Sequence, residues 1–166
     1  MTNQIRQLYK NCQVYVLEGR SKQRQAPVIP DDLIRLCVFE LVGVDLMQVG
    51  ESNYLVLVDK KTGFRLCEYL KKTATEDVIR VLESWFFKYG IPSRLRSDFG
   101  PQFRKTFGDW CLGLGIQHET GSAYSPESNG LSERGVGVLK EMMKKCGAKK
   151  GKELEKLLFQ LNSMSL

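Results

Sequence analysis

A carboxylate set inside an apolar strand limits the folding of this chain more than any other feature. Leu41-Val42-Gly43-Val44-Asp45-Leu46-Met47 is short and apolar, the pattern of a buried strand. Asp45 is costly to bury there without partners, so the fold must bring compensating groups to it. Two further acids stand at comparable points. Asp98 follows a short strand, Arg94–Ser97, and Glu133 falls near the start of a helix that runs to about Cys146.

The order of elements says where those acids meet. Residues 1–16 read as a short helix and an extended piece, and residues 17–32 as a linker with Gly19, Ser21, Pro27 and Pro30. Beyond it, strands are expected at Phe39–Met47, Tyr54–Val58 and Phe64–Leu70, joined by the turns Gly50–Asn53 and Asp59–Gly63. Thr73-Ala74-Thr75-Glu76 has the form of a capping box and opens a helix to about Tyr89, stopped by Gly90 and Pro92. The strand Arg94–Ser97, a helix Lys105–Leu114 and a strand Ile116–Thr120 follow, then a loop Gly121–Gly130. Helices at about Leu131–Cys146 and at Lys152–Ser163 close the chain. Three meandering strands, then helix, strand, helix, strand, helix, is a ribonuclease-H-like order: an α/β fold with a five-stranded mixed sheet flanked by helices. A right-handed crossover through the first helix would lay Arg94–Ser97 parallel to Phe39–Met47. Asp45 and Asp98 would then emerge at the carboxyl edge of parallel strands, with Glu133 entering from the first turn of the facing helix.

Adjacent carboxylates repel one another and stay ionised together only when cations compensate them. Magnesium or manganese does this with oxygen ligands. Two such ions roughly 4 Å apart suit in-line phosphoryl transfer on nucleic acid. In this reading Asp45 bridges both ions, Asp98 holds one and Glu133 the other. The nucleophile is water or a terminal 3′-hydroxyl, and neither a protein nucleophile nor a histidine base is required. Each acid also has an ordinary explanation. An Asp at a strand end is usually a turn or cap residue, and Glu near a helix start favours the helix macrodipole. Asp59 is the natural decoy, a strand-end acid that Lys60-Lys61-Thr62-Gly63 marks as a turn residue.

The words around the acids carry a resemblance. Ser97-Asp98-Phe99-Gly100-Pro101-Gln102-Phe103, followed by Tyr124-Ser125-Pro126-Glu127-Ser128-Asn129-Gly130-Leu131-Ser132-Glu133-Arg134, resembles gypsy-type retrotransposon integrases and their retroviral relatives. Val44-Asp45-Leu46, Tyr54–Asp59, Phe87–Pro92 and Leu114-Gly115-Ile116 stand in the family's order, so the likeness runs from Phe39 to about Cys146. It implies a ribonuclease H fold, an Asp-Asp-Glu triad of Asp45, Asp98 and Glu133, and two magnesium or manganese ions. It also implies DNA 3′-end processing and strand transfer on double-stranded DNA, a dimeric core and a nuclear place of action. Tyr124 and Asn129 fall on the family's mobile loop that touches the DNA end, and Lys140 on a position that meets DNA phosphate. Three departures stand out. Thirty-four residues separate Asp98 from Glu133, one fewer than usual; Phe99 replaces a small polar residue; and Gly137 stands where lysine or asparagine is common. These departures support a second reading, a domesticated integrase-derived module that binds DNA or protein with catalysis lost or unused. A general ribonuclease H or resolvase finds no support in the wording from Tyr124 to Glu133.

The amino-terminal segment and the charge agree with this picture. Residues 1–30 hold Arg6, Lys10, Arg20, Lys22 and Arg24 against Glu18, so 5 − 1 = +4 of the net +6 lies there and 6 − 4 = +2 in the rest. A basic arm favours a polyanionic partner. Tyr9-Lys10-Asn11-Cys12-Gln13 resembles the closing Cys-x-x-Cys-Gln of the integrase zinc domain with one cysteine missing. A structural zinc site takes four ligands, so no zinc is expected in this segment. Residues 1–32 are therefore expected to be the end of a zinc domain plus a basic linker, and 33–166 the catalytic core, an excised piece without the family's C-terminal module. Five scattered cysteines, an odd number, suit reduced thiols. No apolar run approaches the roughly 20 residues that span a bilayer, so no membrane partner is expected. His118, the only histidine, is expected on a strand face as a packed or solvated residue.

Overall fold

The computed structural model describes residues 36–120, 126–147 and 150–163, with side chains in the long helix described from Val136. The amino-terminal segment, including Tyr9 and Cys12, lies outside the described residues.

Strands β1 (Leu41–Val49), β2 (Ser52–Asp59) and β3 (Arg65–Leu70) form an antiparallel meander. After helix α1 (Thr75–Tyr89) come β4 (Arg94–Ser97), a 3-10 turn at Pro101–Phe103, α2 (Lys105–Gly113) and β5 (Gln117–Thr120). Helices α3 (Pro126–Cys146) and α4 (Lys152–Ser163) complete the order. The five strands lie in the order β3-β2-β1-β4-β5, with β1 parallel to β4 and β4 parallel to β5. This is the ribonuclease-H-like sheet that the element order predicts.

Several boundaries differ from the sequence expectation by one to five residues, and three of them have a clear local reason. β1 begins at Leu41 rather than Phe39, because Phe39 takes a left-handed φ of 63° that cannot extend a strand. Its N–H instead donates to Asp59 Oδ1 at 3.2 Å. Helix α1 starts at Thr75, one residue later than an N-cap at Thr73 would place it: Ala74 is the N-cap and no side chain caps it. Helix α3 starts at Pro126, five residues earlier than expected. Proline needs no partner for its absent N–H in a first helical turn, so Ser125-Pro126-Glu127 was a start signal within the apparent loop.

Strand alternation sorts the core into two layers. On one face Val42, Val44, Leu55 and Leu57 pack with Leu82, Trp85 and Phe86 of α1 and Phe107 of α2. On the other, Met47, Tyr54 and Val56 pack with Leu139 and Met143 of α3 and Leu157 and Leu161 of α4. Successive residues of a strand face opposite ways, so Asp45 shares the second face with Met47, and helix α3 covers that face. The meander also depends on Asp59, which is almost wholly buried (1% exposed) at the end of β2. Its carboxylate accepts hydrogen bonds from the N–H groups of Phe39, Lys61 and Thr62 and from the Thr62 hydroxyl. Asp59 is a structural turn residue, as its surroundings indicate.

Candidate active site

Register places the first two acids side by side. Parallel pairing of β1 with β4 runs from Leu41↔Arg94 to Val44↔Ser97. Asp45 and Asp98 are each the next residue past that last pair. Neighbouring strands run about 4.8 Å apart, so the two residues stand side by side along the sheet, Asp45 within β1 and Asp98 just past the end of β4. The half-buried Asp45 belongs to an unbroken strand, because β1 continues to Val49 along β2, where it pairs with Val56. The exposed Asp98 stands where β4 has ended. Asp45 is engaged with other groups of the fold and is not a free carboxylate.

The turn after β4 is tightly built. Gly100 N–H donates to Asp98 Oδ1 at 3.0 Å, an Asx-type turn that holds the carboxylate back over its own chain. A Cβ at Gly100 would press on the Gln102 amide and lie 3.0 Å from Asp98 Oδ1, so those two side chains would have to give way to admit one. Behind it, Ser97 is buried and its hydroxyl contacts two groups, the Asp98 carbonyl at 2.9 Å and His118 Nε2 at 2.8 Å. His118 is half-buried on β5 with its ring edge-on to Phe107 at 5.0 Å, and desolvation lowers its pKa from 6.5. It is thus packed on a strand face, as expected, but with a hydrogen bond the sequence did not indicate. Alongside, Arg96 holds Glu119 through both Nε and a terminal nitrogen, at 3.1 and 2.6 Å, which ties β4 to β5 below the acids.

The third acid, Glu133, lies on α3, whose Leu139 and Met143 pack on Tyr54 and Met47. With the helix starting at Pro126, Glu133 is its eighth residue, two turns in rather than in the first turn. A simple macrodipole role fades over that distance. By helical register Glu133 falls three residues before Val136, which packs on the second core layer, and seven before the half-buried Lys140. The side chains of Glu133 and Asn129 lie outside the described residues, as does all of Tyr124. Asn129 nonetheless belongs to helix, not to loop. Among the described residues no group of three or more His, Cys, Asp or Glu side chains could hold a metal ion. Asp45 and Asp98 supply two hard oxygen donors of the kind magnesium or manganese prefers, and the expected third donor falls outside that set.

Comparison with known proteins bears on the whole of this region. Residues 37–126, more than half the chain, match the family model described as Integrase core domain. The chain is 30% identical over 150 residues to the Gag-Pro-Pol polyprotein of Mason-Pfizer monkey virus, covering 89% of this chain and 8% of that polyprotein. It therefore spans only a small part of the curated relatives it matches. In three dimensions it resembles the catalytic core domain of BIV integrase with a TM-score of 0.62 and 24% identity, over 74% of this chain and 80% of that one. It also resembles a chain of the simian T-cell lymphotropic virus intasome, with a TM-score of 0.61 and 22% identity, over 86% of this chain and 51% of that one. At that identity the structures speak for the fold, and the family match speaks for descent. The chain belongs to the integrase core domain family.

Proposed function

We propose that this chain is the catalytic core of a retroelement integrase, performing divalent-metal-dependent 3′-end processing and strand transfer on double-stranded DNA. The observation that carries the reading is the β1–β4 register, in which Asp45 and Asp98 each follow the last parallel pair, Val44↔Ser97, with Asp45 on the face of β1 that α3 covers. Two adjacent carboxylates at a strand edge need positive charge between them, and oxygen donors select a hard cation. Asp45, on the continuous strand, would hold the metal together with Asp98 and Glu133. When bound, two magnesium or manganese ions activate an attacking oxygen and stabilise the leaving one. The residues of the chain hold those charges in place and present DNA to them. Tyr124 and Asn129 contact the DNA end, and Lys140 meets a phosphate on the same helical side as Glu133. DNA as substrate makes the nucleus the place of action.

The core is also proposed to work as a homodimer or a larger assembly. A groove between β3, the end of α1 and α4 is lined by Val38, Tyr89 and Phe159, all strongly exposed apolar side chains. Exposed apolar patches of this kind mark association surfaces.

Metal titration tests the site directly. Calorimetry is expected to show manganese binding to the wild-type chain at neutral pH, weakened at least tenfold by Asp45→Asn or Asp98→Asn. Each change removes a ligand and a compensating charge together. Equal binding by wild type and both variants would dispose of the site. It would leave the DNA- or protein-binding module as the surviving account of the fold.

A further inference from the structure

We propose that His118 is a positioning residue for Asp98, acting through the buried hydroxyl of Ser97. The proposal rests on Asp98 being a metal ligand as read above, and adds a residue from the far strand to that site.

The hydrogen-bond arithmetic is restrictive. A serine hydroxyl has one proton. With that proton assigned to the Asp98 carbonyl at 2.9 Å, the 2.8 Å contact with His118 Nε2 is assigned as an N–H donated by the imidazole. Neutral His118 is therefore the Nε2–H tautomer. Burial of the ring favours the neutral form, and Phe107 packs against it edge-on at 5.0 Å. The register explains the reach. Leu95 pairs with His118 across β4 and β5, and Ser97 lies two residues farther along the same face. Diagonal neighbours on one face are within range of an aromatic side chain.

The consequence falls on Asp98. Its carbonyl is held from behind by Ser97 and its carboxylate from in front by Gly100 N–H at 3.0 Å. Fixing the carbonyl fixes the peptide that follows Asp98, which decides where the chain leaves β4 and hence where Gly100 meets the carboxylate. Ser97 is only 4% exposed, so water does not readily replace a lost partner on its hydroxyl. Asp45 needs no such device, because β1 carries it as a paired strand residue. The exposed, strand-ending acid is the one that requires support from outside its own segment.

The test compares His118→Phe, which keeps the ring and its packing but has no N–H, with His118→Gln, whose amide can donate again. Ser97→Ala, a smaller change, carries the same test if the phenylalanine variant fails to fold. The Gly100 amide in 1H–15N NMR spectra of the 166-residue chain reports its bond to Asp98 without any metal. Manganese titration of the same samples reports the ligand. The expected result is an upfield shift of the Gly100 amide proton and a 10- to 100-fold weaker manganese affinity in His118→Phe and Ser97→Ala, the range for partners that orient a ligand. His118→Gln should recover most of both. An unchanged Gly100 amide and unchanged manganese affinity in folded His118→Phe and Ser97→Ala would overturn the proposal and leave His118 as filler beside Phe107. If the wild-type chain binds no manganese, the metal-site reading fails, and the Gly100 amide alone still decides whether His118 positions Asp98.

Discussion

At the residue scale, the chain contains acids that look alike in sequence and differ in physical role. Asp59 and Asp98 each end a strand. Asp59 is buried and spends its oxygens on three backbone N–H groups and a hydroxyl. Asp98 is exposed and accepts from Gly100 N–H. Asp59→Ala strands several buried donors, and a loss of about 2–4 kcal/mol in urea denaturation is expected, with manganese binding intact in the folded fraction. A milder loss would mean that water reaches those donors. Metal chemistry and DNA grip separate along α3. Glu133→Gln preserves size and helix propensity while removing charge, so DNA cleavage should collapse with DNA affinity retained. Lys140→Glu should weaken DNA binding across sequences and reduce the salt dependence by about one unit of slope. If both variants behave as wild type in cleavage and salt-titrated binding, neither residue has the role given to it. The thiols follow the same division between buried and exposed. Burial pushes Cys67 and Cys111 up to about 12, with Glu68 adding to the effect at Cys67, so both are poor nucleophiles in the folded chain.

At the element scale, the strands and helices follow from local pattern, and the departures come from single residues. A left-handed Phe39 moves the start of β1 to Leu41, and Pro126 draws the start of α3 forward. The second shift changes the functional picture, because it moves Glu133 from a helix end to two turns inside. Helix α3 also carries Gly137, exposed and with nothing within 4 Å of where a Cβ would stand. Gly137→Ala should therefore stabilise the fold by about 0.5–1 kcal/mol, read as a higher urea midpoint at unchanged slope. A destabilised Gly137→Ala would mean that the space beside Gly137 is not open in the folded chain. Helix α4 docks by a device no helical pattern announces. Asn162 Oδ1 accepts from Arg65 N–H at 2.8 Å while its Nδ2 donates to the Arg65 carbonyl at 2.9 Å. A side-chain amide thus pairs with the edge strand as another strand would, and satisfies its open backbone groups.

At the scale of the whole molecule, a sheet covered on both faces leaves an edge where the carboxyl ends of β1 and β4 open, and a separate apolar groove by β3. The groove predicts self-association. Sedimentation equilibrium should show dimers of the chain, and Phe159→Lys, at a side chain 62% exposed, should shift them to monomers without loss of thermal stability. A wild-type chain that stays monomeric at high concentration would remove the groove from the assembly. The sequence by itself determined the element order, the cost of burying Asp45 without partners, the decoy nature of Asp59 and the family wording around Asp98 and Glu133. Those are properties of neighbouring residues, where periodicity, turn chemistry and burial cost act within a few positions. Only the tertiary structure decided that Val44 pairs with Ser97, so that Asp45 and Asp98 lie side by side, and that His118 reaches Ser97 and Asn162 reaches Arg65. Such pairings join segments 21 to 97 residues apart. Their register is set by the packing of two faces at once, a constraint that no local stretch of chain contains.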